Sequence, residues 1–106
     1  MAWILILLAG ISEIFMALFL KESKGFSQLW PSLGFVVFAA LSFGLLSLAI
    51  KSLPVGTAYA VWTGIGAAGT AILGIILLGE SADLLKLGSI AFIVLGVVGL
   101  QLSGSH

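Results

Sequence analysis

Glu13 is the residue best placed to do chemistry, because it is the one carboxylate inside an apolar run from Met1 to Leu20. An ionised side chain in the middle of a membrane-length helix costs on the order of several kcal/mol in hydrocarbon. Such a residue faces protein or water and has a task, by default that of a proton or cation site. A medium of low dielectric disfavours the charged carboxylate. Glu13 can therefore hold a proton, or release it and hold a cation, but not both at once. If that site is exposed alternately to the two sides of a membrane, this exclusion suffices for proton-coupled exchange. Two copies of Glu13 brought close together would titrate as one coupled unit. The alternative is that Glu13 hydrogen-bonds a neighbouring helix as structural glue.

Residues three and four apart stack on one helix face, so Glu13 shares its face with Ile6, Ala9, Gly10, Met16, Ala17 and Leu20. Gly10, Ala9 and Ala17 are small and allow close approach of a helix or ligand. Further along, Tyr59, Trp62, Thr63, Gly66 and Thr70 form a stripe at helical spacing. Aromatic faces attract cations and a phenol can donate to a carboxylate, so this stripe suits a cation pocket. Tyr59 and Trp62 would equally suit an interfacial aromatic belt, with Trp3 and Trp30. Ser42 is positioned to reach Glu13 across the bundle or to bond its own backbone. Gly64 and Gly66, with Gly69 beyond, mark either a packing surface or a bend. Gly88, Ser89 and Gly96 give the last segment small positions for a tight helix contact.

The elements that must position these groups follow from composition. The chain is 61% hydrophobic and 8% charged, against about 25% charged in soluble domains, so it lacks the polar surface to coat a globule in water. Its few charges cut it into four apolar segments, approximately 3–20, 30–50, 57–78 and 87–102. Each matches a hydrocarbon core of about 30 Å as a helix, and none alternates in polarity as a membrane strand would. The expected architecture is all-α, with four transmembrane helices in a single domain, 1–106. Four short helices give little wall around a central site, which implies oligomerisation. The first run lacks a basic leader and is interrupted by Glu13, so it reads as a retained helix rather than a cleaved signal. Lys21, Lys24 and Lys86 fall in the odd loops and Lys51 in the even one, which favours a cytoplasmic side for the odd loops.

Several classes are disfavoured by what the sequence contains. It has no cysteine, and its one histidine, His106, stands at the C-terminal end. Neither thiolate sites nor a metal cluster is expected, and no phosphate-binding loop or nucleophile–base pair is recognisable. No cofactor, enzyme activity or nucleic-acid partner is predicted, the formal net charge being zero. A rotary-ring proteolipid also carries a membrane carboxylate among glycines, but it expects a two-helix hairpin with the acid in the later helix.

The run Lys51-Ser52-Leu53-Pro54-Val55-Gly56-Thr57-Ala58-Tyr59-Ala60-Val61-Trp62-Thr63-Gly64-Ile65-Gly66, taken with Glu13 in the first of four helices, resembles the small multidrug resistance family. The likeness continues through Gly74-Ile75-Ile76-Leu77-Leu78-Gly79-Glu80-Ser81 and covers essentially the whole chain. Trp62 to Gly66 and Ser42 are similar to the pattern of the guanidinium-exporter branch. The resemblance implies an antiparallel dimer of four-helix protomers in the inner (plasma) membrane, exchanging protons for a small organic cation. It implies Glu13 as proton and substrate site, Tyr59 and Trp62 lining it, and Ser42 supporting it. Gly10, Met16 and Thr63 would lie alongside, Gly64 and Gly66 would form a bend, and Gly88, Ser89 and Gly96 would make the dimer contact.

Two departures from that branch bear on these expectations. Met16 stands where the branch has a tryptophan, replacing a donor with flexible apolar surface. That change admits quaternary ammonium or broader cations as the alternative cargo. Gln101 stands where the branch carries a lysine, which sharpens the charge asymmetry between loops. It leaves open a homodimer or a heterodimer with a related small membrane subunit.

Overall fold

The computed structural model describes residues 2–103, and the expectation for His106 lies outside them. It consists of four α-helices, α1 (Ala2–Glu22), α2 (Leu29–Ala49), α3 (Val55–Leu78) and α4 (Leu84–Leu102). Among the described residues there is no strand. The helices contain 19 to 24 residues, or about 28–36 Å at 1.5 Å per residue. All four are long and apolar enough to cross a membrane. In hydrocarbon every backbone donor and acceptor must be satisfied internally, which is why such runs become helices.

The ends of the helices show how short polar segments stop them. Gly79 terminates α3 in the left-handed conformation (φ 67°), and the N–H groups of Gly79 and Glu80 both return to the Gly74 carbonyl. Asp83 caps α4 by accepting from the Lys86 N–H at 2.7 Å. This cap starts α4 at Leu84, ahead of the apolar run that opens at Leu87. The first connection is tighter than its charges suggest. Lys24, Gly25 and Phe26 all take positive φ (49°, 73° and 66°), and the bulky Phe26 is strained there. Ser23 holds this turn. It is fully buried, its hydroxyl donates to the Leu20 carbonyl at 2.7 Å and it accepts from the Phe26 N–H at 3.2 Å. The Ser23 carbonyl also receives the N–H groups of Ser27 and Gln28.

Packing is centred on α1, which lies against both α2 and α3, whereas α2 and α3 meet only slightly and α4 touches α3 alone. The buried core is Ile6 and Ala9 of α1, Ala49 and Leu53 at the end of α2, and Ala58, Val61 and Trp62 of α3. It fills the end of the bundle nearest the second loop. Towards the opposite end, α1 and α2 join through aromatic rings, with Phe38 at 5.3 Å from Phe15 and 5.6 Å from Phe19. Gly34 leaves room for the Phe19 ring, whose nearest atom would lie 2.8 Å from a Cβ at that position. Along α4 only Ile90 is buried. A Cβ at Gly88 or Gly96 would meet nothing within 4 Å, and the Ser89 hydroxyl bonds back to the Leu85 carbonyl at 2.8 Å. This face of α4 is open within the protomer.

Replacing Ser23 by alanine would leave the Phe26 N–H without its partner in a turn that holds two non-glycine residues in the left-handed region. We expect Ser23→Ala to lower stability by about 1–3 kcal/mol, measured as a lower midpoint of thermal unfolding in detergent.

Candidate functional site

Glu13 lies in the middle of α1, half-buried, with its carboxylate resting on the backbone of α3 at Gly66. A Cβ at position 66 would collide with the carboxylate and would stand 3.0 Å from Glu13 Cγ. The contact exists because residue 66 has no side chain. Glu13 Oε1 is buried there, and no hydrogen-bond partner reaches it among the described residues. Buried polar atoms are rarely left so. A carboxylate oxygen in this position can accept a proton or a donor-bearing cation.

One turn towards the start of α1, the two helices interlock in the opposite sense. Gly10 receives Ile65, whose Cγ2 and Cβ would lie 2.6 Å and 2.7 Å from a Cβ at position 10. At this level a polar connection joins three helices. The fully buried Ser42 of α2 donates to the Ala9 carbonyl at 2.7 Å and accepts from Trp62 Nε1 at 2.8 Å. A hydroxyl has one proton to give, so Ser42 is anchored to α1 and does not donate to Glu13, nor does it bond its own backbone. Ala9 precedes Glu13 by one turn, and Trp62 precedes Gly66 by one turn. The Ser42 layer therefore lies directly beside the Glu13 layer.

Trp62 is buried, with Phe43 at 5.2 Å and Tyr59 at 5.5 Å between ring centroids. It belongs to the core rather than to an interfacial belt. Tyr59 is 57% exposed and touches Trp62 through that ring contact. Met16 is half-buried on α1, whereas Thr63 is exposed and lies apart from the buried Trp62 and Gly66. α3 is α-helical through Gly64 and Gly66. In this conformation both glycines serve close contacts, since a Cβ at Gly64 would lie 2.7 Å from Val97 of α4. Among the described residues no group of histidines, cysteines or carboxylates could hold a metal ion.

Reading the sequence alone missed Phe43 and the seat at Gly66. Phe43 follows Ser42 directly, so an aromatic beside a buried serine was the available signal. Nothing in the spacing distinguishes a glycine that seats a carboxylate from one that bends a helix.

Comparison with known proteins bears on this arrangement. The family model described as Small Multidrug Resistance protein matches residues 1–99. The chain is similar to the guanidinium exporter of Escherichia coli (strain K12), 57% identical over 97% of this chain and 98% of that protein. The guanidinium exporter of Yersinia pseudotuberculosis serotype I (strain IP32953) is also 57% identical, over 97% and 99% of the two chains. That of Salmonella typhimurium (strain LT2) is 54% identical over 97% and 98%.

The Ser42 connection gives a direct test of the layer beside Glu13. Ser42→Ala removes the acceptor of the Trp62 N–H, and we expect a loss of about 1–3 kcal/mol of stability with a shift in tryptophan emission. The emission change should vanish in a Trp62→Phe background, where Trp3 and Trp30 still report on the rest of the protein.

Proposed function

The chain belongs to the small multidrug resistance family, and from that premise we propose that it exports guanidinium or small substituted guanidinium cations in exchange for protons. Glu13 is the group that holds either the cation or the proton. The observation that carries this reading is the buried Oε1 of Glu13, which has no partner among the described residues. The proposal is supported by relatives that are named guanidinium exporters over nearly their whole length. A guanidinium ion is planar and carries several N–H donors, which suits paired carboxylate oxygens.

A dimer supplies the second carboxylate and the second wall. The protomer is a slab whose Cα atoms extend 16 Å along its shortest axis, too thin to shield a site at its face from lipid. The open face of α4, with Gly88, Ser89 and Gly96, provides the small positions for such a contact. An antiparallel pair in the inner membrane would bring the two Glu13 residues to face each other across one shared site. Tyr59 and Trp62 line the site, with Ser42 bracing the latter. Gly10 and Met16 lie around it, the exposed Thr63 does not, and a bend at Gly64 and Gly66 exchanges its exposure.

Met16 supports a second cargo. A quaternary ammonium ion has no donors and prefers apolar and aromatic surface, and half-buried Met16 lies one turn from Glu13 on its face.

Liposomes bearing the purified chain test the reading. A guanidinium gradient is expected to drive proton movement, and Glu13→Gln is expected to abolish it. Movement driven by tetraethylammonium but not by guanidinium would select the second cargo. Undiminished exchange by Glu13→Gln would reduce the residue to structural glue.

A further inference from the structure

One turn beyond the seat of Glu13 the same two helices interlock again, through residues that the reading above does not use. Ile14 of α1 fills the place of the missing side chain at Gly69 of α3. A Cβ at position 69 would collide with Ile14 Cδ1 and stand 2.7 Å from Cγ1. Rotation about χ2 would carry Cδ1 away but would leave Cγ1 where it is. Rotation about χ1 is closed as well, because isoleucine in a helix is held almost entirely in one χ1 rotamer. Relief at position 69 must therefore come from movement of α1 and α3 relative to one another, and Glu13 is the residue next to Ile14 on α1.

No other helix fixes α1 on this side. α4 does not reach α1, and an apolar groove of about 240 Å³ separates Ile14 from Val94, Val97 and Val98. Beyond the Ser42 connection and the core around Ile6 and Ala9, three interlocks set the position of α1 along α3 at the level of Glu13. Ile65 enters the notch at Gly10, Glu13 rests on Gly66, and Ile14 enters the notch at Gly69. The two apolar contacts flank the carboxylate. Helices packed in this way slide only if both knobs leave their notches together.

We propose that Ile14 and Gly69 form a register lock that holds the Glu13 carboxylate against Gly66, making both of them positioning residues for cation binding. The proposal rests on the reading of Glu13 as the cation and proton site. A carboxylate displaced along α3 loses its place over the one position without a side chain, and misplacement of a binding group by an ångström is costly.

The test uses the full chain in liposomes and measures the KM and maximal rate of guanidinium-driven proton exchange, with the amount of folded protein determined separately. Gly69→Ala crowds the notch and is expected to raise KM roughly tenfold or more at an unchanged yield of folded protein. Ile14→Ala/Gly69→Ala replaces a large knob in a deep notch by a small knob in a shallow one, and is expected to return KM to within about threefold of wild type. Wild-type KM in folded Gly69→Ala overturns the lock, as does failure of the folded double variant to recover. Should Gly69→Ala not fold, Ile14→Ala alone empties the notch without crowding it. A raised KM there supports the lock and an unchanged one overturns it. Glu13→Gln separates the two levels of the argument. Wild-type exchange in that variant removes the reading on which the lock depends, whereas loss of exchange alongside an unaffected Gly69→Ala removes the lock alone.

Discussion

The arrangement depends on bringing a carboxylate against a helix backbone in the middle of a membrane-spanning bundle. A charged or protonated acid there can neither be left in lipid nor be wedged between full-sized side chains. The chain resolves this by omitting a side chain opposite it, at Gly66. Neighbouring contacts then follow as consequences. If α3 is to approach α1 closely enough to seat Glu13, Ile65 needs the notch at Gly10 and Ile14 needs the one at Gly69. Trp62 donates its indole N–H to Ser42 rather than to Glu13.

The polar groups of the interior are correspondingly sorted into layers. Ser42 spends both its donor and an acceptor position on the backbone of α1 and the indole of α3, so that layer is closed. The Glu13 layer beside it retains an unpartnered oxygen. Low dielectric strengthens satisfied hydrogen bonds and penalises missing ones. A closed layer next to an open one thus gives a rigid wall beside an atom that gains by taking up a ligand.

Much of this was legible in the sequence because it follows from cost. A carboxylate among apolar residues, four runs of bilayer length and punctuation by glycine, proline and charge each have few physical explanations. The four spanning helices were read in this way, whereas the family likeness rested on the run from Lys51 to Gly66 taken with Glu13. What was not legible concerns choices between partners. Ser42 had several acceptors within reach of its helix, and only the packing of α2 on α1 selects the Ala9 carbonyl. Thr63 shares a stripe with Trp62 by spacing, yet the rotation of α3 buries Trp62 and leaves Thr63 exposed. Gly64 and Gly66 look alike in sequence, while one admits Val97 of α4 and the other the carboxylate of α1. α4 begins before its apolar run because a cap at Asp83, not hydropathy, sets its first turn.

The attachment of α4 to α3 alone has a consequence for biosynthesis. The buried core residues all lie in α1, in α3 and at the end of α2, and the contact that seats Glu13 is between α1 and α3. α4 adds only the partly buried Val97 and Leu100 against that core. During translation the three can settle against one another while α4 is still within the ribosome and insertion machinery. α4 then arrives as an addition to a finished platform, with its outer face uncommitted. The order of synthesis thereby separates formation of the acid's surroundings from assembly with any neighbour.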